Sequence, residues 1–98
     1  MGLAYGLACL VTIVHDSRGG LTIQEILEIN ALEYDSKFLI KYPHFFDPDK
    51  SVLGCAFLFK RGERYYLRDD ADTESLDKQL RYARKGRDDF IQHSSGFP

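Results

Sequence analysis

Large apolar residues at Leu3, Leu7, Leu10, Val11 and Val14 recur at i, i+4, i+7, i+8 and i+11, which predicts one apolar face of a helix from Leu3 to His15. Asp16, Ser17, Arg18, Gly19 and Gly20 then supply the polar residues and glycines of a helix stop and turn. A competing reading makes Leu7 to Val14 a strand, because Val11, Thr12, Ile13 and Val14 form a β-favouring run. A second helix opens with Thr22, Ile23, Gln24 and Glu25, where Thr22 and Glu25 have the spacing of a reciprocal capping box. Ile23, Ile26, Leu27 and Asn30 share its inner face, and Ala31, Leu32 and Glu33 are expected to turn the chain. A third helix is predicted from Tyr34 to Tyr42, with Phe38, Leu39 and Tyr42 inward, stopped by Pro43 because the residue before a proline resists helical geometry.

His44 to Ser51 reads as a loop, marked by Pro48 and its flanking aspartates. The next run predicts two strands, Val52 to Phe59 and Arg64 to Arg68, around a tip of Lys60, Arg61, Gly62 and Glu63 in which Gly62 accepts the positive φ of a tight turn. Asp69, Asp70 and Asp72 end the second strand. Asp72 or Thr73 is placed to cap a last helix running through Leu76, Leu80 and Ala83 towards Phe90 and Ile91. Helices followed by a charged hairpin and a closing helix predict an α+β winged helix, a helix-turn-helix with a C-terminal β-hairpin wing, occupying 1–92 and followed by a loose polar tail at 93–98. With Leu7 to Val14 extended instead, the fold becomes a three- or four-stranded antiparallel sheet with two helices.

Ninety-eight residues, 44% of them hydrophobic, suffice for one core and exclude two. Fifteen acidic against 13 basic residues give a formal charge of −2, so any attraction to nucleic acid must be local. Cys9 and Cys55 sit far apart among apolar neighbours, which favours buried free thiols in an intracellular compartment over a disulfide framework. The apolar run from Leu3 to Val14 is shorter than the roughly 18 residues of a spanning helix, and it lacks the basic flank of a signal peptide, so core and no membrane is the expectation.

Basic residues concentrate in three places. The hairpin carries Lys60, Arg61, Arg64 and Arg68, able to lie along a phosphate backbone. The same charges would also block unwanted strand pairing. The last helix carries Lys78, Arg81, Arg84, Lys85 and Arg87 with no acidic residue between Lys78 and Arg87, either a phosphate-binding surface or a solvated helix face. The presumptive recognition helix offers Lys37 and Lys41 but no Arg, and Glu33 and Asp35 precede them, a composition poor for reading bases. Lys37, Lys41, Lys60, Arg61, Arg64, Arg81, Arg84 and Lys85 are therefore the candidate contacts to duplex DNA, made mainly through phosphates. Phe45 and Phe46 form a candidate exposed aromatic surface for a protein partner, as an adaptor on this or the antiparallel scaffold would require. No histidine pair has metal-ligand spacing, the aspartates after the hairpin lack the glycine turn and terminal Glu of a Ca²⁺ loop, and no phosphate-binding loop or dinucleotide fingerprint occurs. Neither catalysis, a cofactor, a metal nor a small-molecule substrate is expected.

Tyr5-Gly6-Leu7 opening the first helix, LTIQEIL from Leu21 to Leu27 opening the second, and the hairpin followed by Leu76 to Leu80 resemble the winged-helix core of the beta subunit of general transcription factor IIE. The resemblance spans most of the chain in order, with LTIQEIL its most specific part. It implies a nuclear, non-catalytic transcription module contacting promoter DNA and neighbouring initiation proteins. Members of that family are more basic and carry tandem winged helices, whereas this chain is mildly acidic and has room for one; small winged-helix regulators of bacteria and phages fit nearly as well.

Overall fold

The computed structural model describes residues 2–95, apart from the side chains at 52, 53 and 93–95. The first apolar run is helix α1 (Leu3–Asp16), and every residue from Tyr5 to Val14 is buried. A helix apolar on one face needs one neighbour; one buried all round must be enclosed. The β-branched run at Val11 to Val14 accordingly lies within the helix, and the strand alternative is not adopted. After α1 the chain turns through three successive left-handed residues, Arg18, Gly19 and Gly20 (φ 60, 78 and 80°). A Cβ at Gly19 would stand 2.9 Å from the Tyr66 ring, so glycine is needed there for both backbone shape and close approach. Gly20 N then donates to Tyr65 O and Tyr65 N donates to Leu21 O, making Leu21 an isolated β-bridge beside the later hairpin.

Helix α2 (Ile23–Glu33) begins with the capping box read from the sequence: Thr22 N donates to Glu25 Oε1 at 2.9 Å and Glu25 N to Thr22 Oγ1 at 3.2 Å. It continues through the expected turn at Ala31 to Glu33, and the third helix shrinks to α3 (Lys37–Lys41). Asn30 is the cause. Its carbonyl accepts from both Tyr34 N and Asp35 N, its buried amide donates to Ser36 O, and Asp35 takes a left-handed φ of 49°, so the chain wraps Asn30 before it can coil again. Tyr34 is thus a buried cap and Leu39 the buried anchor of α3, whereas Tyr42, expected inward, is exposed.

Pro43–Phe46 is a 3-10 helix with Pro at its start. Residues 52–55, expected as strand, form a helical turn, α4 (Val52–Cys55). Gly54 packs against the Phe46 carbonyl, where a Cβ would fall 2.5 Å away, and the Cys55 thiol donates to Pro48 O, so this stretch closes on itself before the strands begin. Strands β1 (Leu58–Arg61) and β2 (Arg64–Leu67) pair antiparallel, with Arg61 opposite Arg64 across the loop Gly62-Glu63. Gly62 at φ 63° fits the first position of a two-residue hairpin loop. Leu58 and Tyr65 face the core. Helix α5 (Thr73–Ser95) starts where predicted, with Asp72 Oδ2 accepting from Ser75 N at 2.9 Å. It runs through 93–95, where the tail was expected; the rest of that tail, 96–98, lies outside the described residues.

The architecture is α+β: α5, α2, α3 and β2 all pack around α1. The closest approach is α5 on α1, where a Cβ at Gly86 would lie 2.3 Å from the Tyr5 ring. That ring is held by an edge contact with Tyr82 at 5.4 Å and by its hydroxyl donating to Tyr34 O. Gly86→Ala gains about 1 kcal/mol of helix propensity but forces the helices apart, an overpacking cost of about 1–3 kcal/mol. The net outcome expected in denaturant unfolding is destabilisation, and it should shrink in a Tyr5→Leu background, which lacks the colliding ring atoms.

Candidate nucleic-acid interface

Strand alternation places Phe59, Arg61, Arg64 and Tyr66 on the hairpin face opposite Leu58 and Tyr65. Phe59 and Tyr66 stack across the strands with centroids 5.4 Å apart and planes 22° apart. The Arg61 guanidinium lies over both rings, at 5.7 and 5.8 Å. Arg64 Nη1 donates to Gly20 O at 2.6 Å and approaches Glu25 Oε1 at 3.4 Å, which ties the hairpin to the turn before α2. Gly19 of that turn lies against Tyr66, and Arg18 beside it is exposed. At the end of α1, Asp16 Oδ1 accepts from Arg84 of α5 at 2.8 Å and meets His15 Nδ1 at 2.9 Å. Arg61 and Arg64 of the hairpin thus lie on the face of the aromatic pair, Arg18 sits on the turn that packs against Tyr66, and Arg84 braces the end of α1 before that turn.

The hairpin is fixed from its inner side as well. Tyr65 is buried near Asp47, and burial first, then the nearby carboxylates of Asp47 and Asp49, pushes its pKa up to about 12. Asp47 in turn accepts from Asp49 N at 2.9 Å. The 3-10 helix and the hairpin therefore meet at a neutral phenol.

The eight cations proposed from the sequence do not form one surface. Arg61 and Arg64 share the outer hairpin face, while Lys60 lies on the inner one, its Nζ 5.7 Å from the Tyr65 ring, beside a groove of about 450 Å³ that Lys50 and Glu63 also line. A hairpin residue and its neighbour cannot share a face, which is why the tip does not act as one basic cluster. Arg81 and Lys85 are exposed on α5, away from the side that carries buried Leu80 and Ala83, and Arg84 is committed to Asp16. Lys37 and Lys41 are exposed on α3. Phe45 is exposed, but Phe46 is 1% exposed and packs in the core against Phe38 and Gly6, so it is not part of a partner-binding surface. Sequence reasoning missed Arg18, Phe59 and Tyr66 as site residues. The alternation of Phe59-Lys60-Arg61 and Arg64-Tyr65-Tyr66 about a two-residue loop carried that information; the position of Arg18 did not.

The remaining candidate chemistry has structural uses. Asp70 pairs with Arg68 through two bonds of 2.8 and 2.9 Å, and Asp72 caps α5. Cys9 is enclosed by the core, and burial pushes its thiol up to about 12, so it stays protonated at neutral pH. Cys55, expected buried, is exposed. Among the described residues no group of three or more His, Cys, Asp or Glu is arranged to hold a metal ion, and no helix is long and apolar enough to cross a membrane.

Fold and site together define an α+β domain with an arginine-rich aromatic hairpin face. Compared with protein-family models, curated proteins and solved structures, the chain matches none.

The Asp16–Arg84 pair has a pH signature. Desolvation raises the Asp16 pKa, but the hydrogen bonds from His15 and Arg84 outweigh it and leave the carboxyl below its ordinary value. The folded state therefore binds this proton more weakly than the unfolded chain, so the pair stabilises fully above the ordinary carboxylate pKa, and that contribution is lost as pH falls through the lowered value. Both side chains are more than a third exposed, so Asp16→Asn should cost at most about 1 kcal/mol at neutral pH. Urea midpoints of the variant and the parent should converge as the solution is acidified.

Proposed function

We propose that this chain is a winged-helix module that holds duplex DNA by its phosphates, using the outer hairpin face and the turn after α1. The observation that carries the reading is the Arg61 guanidinium held over the stacked Phe59–Tyr66 pair, with Arg64 on the same hairpin face and exposed Arg18 on the turn that packs against Tyr66, in a chain whose formal charge is −2. A wing must be rigid to lie along a backbone, and this one is fastened by the Leu21 bridge to Tyr65 and by Arg64 donating to Gly20 O. Arg61 has no carboxylate partner among the described residues; its ring contacts hold the guanidinium over the aromatic pair and leave its charge uncompensated.

Phosphate contact is favoured over base reading by α3, which is five residues long and offers lysines but no Arg, Asn or Gln. Taken with the LTIQEIL resemblance, the module is a non-enzymatic component of transcription and its compartment is the nucleus. Arg81 and Lys85 on α5 would extend the contact only on a duplex that bends towards them.

Titration of a labelled duplex at two salt concentrations tests this. Arg18→Ala and Arg61→Ala should each weaken binding and flatten the log–log salt dependence by about one unit per lost phosphate contact. Lys37→Ala should leave both unchanged. Undetectable binding at low salt, or a slope indifferent to Arg61, removes the reading.

A further inference from the structure

The face formed by α3 and the 3-10 helix has a different character from the hairpin. From Lys37 to Phe46 the chain has no acidic residue, two lysines, one histidine and four aromatic side chains. Leu39 and Phe46 anchor this stretch at 0% and 1% exposure, while Ile40, Tyr42 and Phe45 stand 44–47% exposed. Phe38 links the two sets: its ring lies 5.0 Å from Tyr42, 6.0 Å from Phe45 and 6.1 Å from Phe46. The exposed rings thus extend a packed cluster and are held in place before any partner arrives. Neither Lys37 nor Lys41 reaches a carboxylate within ion-pair distance among the described residues, and Lys41 Nζ rests 5.5 Å from the Tyr42 ring.

Beside this ridge runs a concave groove of about 520 Å³, walled by Ile23, Leu27 and Ala31 of α2 and by Pro43 and His44. Ile23, Leu27 and Ala31 recur every four residues, an apolar stripe that the core does not cover completely. Glu28 stands on the α2 wall. Lys37 lines a separate cavity with Asp35 and Asp89, so the cation on the aromatic ridge is Lys41, with Glu28 on the far side of the groove.

We propose that this face docks a short segment of another protein in which large apolar side chains are flanked by carboxylates, the apolar anchors entering the α2 groove and the carboxylates lying over Lys41. Charge complementarity selects the occupant: the ridge is free of acidic residues in a chain that is net acidic. A lipid surface would need a convex or flat apolar face, and here the apolar walls form a concavity. A phosphate backbone would strand Ile40, Tyr42 and Phe45 against charged oxygens without burying them. The mode of recognition is an amphipathic segment laid in a groove. It does not depend on the duplex reading, because the two faces share no residue.

The test uses the full chain and a labelled probe peptide with Leu and Phe at i, i+3, i+4 and i+7 and Glu or Asp between them. Comparators are its Gln and Asn counterpart, phosphatidylserine vesicles and the labelled duplex. Expected is salt-sensitive binding of the acidic probe, weakened about tenfold by Phe45→Ala and by Lys41→Glu and unaffected by Arg61→Ala. Lys41 is exposed, so Lys41→Glu keeps the test sound if Phe45→Ala should unfold the domain. The proposal is overturned by failure of the probe to bind, by equal binding of the neutral counterpart, by an undiminished affinity in Lys41→Glu, or by vesicles or duplex displacing the probe.

Discussion

Helix α1 carries ten successive buried residues, and enclosing it is the constraint that every other element satisfies. It has no charged residue between Leu3 and Val14, so no side of it tolerates water. Each of its large aliphatic side chains, Leu10, Val11, Ile13 and Val14 among them, contributes on the order of 1.5–3 kcal/mol when fully buried, but only if a neighbour covers it. α5 covers one side and comes close because Gly86 has no side chain; α2, α3 and β2 cover the rest. The hairpin is therefore part of the enclosure, with Leu58 and Tyr65 as its inward contribution. This is why a two-stranded ribbon, marginal on its own, is held firmly enough to carry a binding face.

Local signals were legible in the sequence wherever the physics was local. The Thr22–Glu25 box, the stop at Pro43, the Gly62 turn and the Asp72 cap each depend on residues at most four apart, and each occurs as read. The departures all involve partners distant in the chain or a polar group whose burial periodicity does not reveal. Asn30 reads as a weak apolar-face position, yet as a buried hydrogen-bonding centre it lengthens α2 and cuts α3 to five residues. Residues 52–55 have strand-like composition, but Gly54 against the Phe46 carbonyl holds them in a helical turn. Phe45 and Phe46 are identical side chains one position apart. Only the packing of Phe46 against Gly6, forty residues earlier, separates a core residue from a surface one.

The same contrast governs the charges. Over the whole chain acidic residues outnumber basic ones, which argues against nucleic-acid binding if charge is treated as a bulk property. Screening makes it a local one, since exposed charges beyond about 8 Å contribute little at physiological salt. What matters is which cations lie together and which are already neutralised. Arg84 and Arg64 each meet a carboxylate and act mainly as struts, joining α5 to α1 and the hairpin to the turn before α2. Among the described residues Arg18 and Arg61 have none, so the struts position a turn and a strand on which the uncompensated arginines sit.

Helix α2 borders both proposed binding faces. Its first turn meets Arg64 through Glu25, while Ile23, Leu27 and Ala31 along its length line the groove. A second physical link is the proximity of Tyr65 on the hairpin to Asp47, which follows Phe46 at the end of the aromatic ridge. Both of these residues are buried, and burial holds the phenol neutral across the physiological range, so the link does not switch with pH there. One rigid body thus presents an arginine–aromatic face and a lysine–aromatic face, each with a chemistry set by its own neighbours.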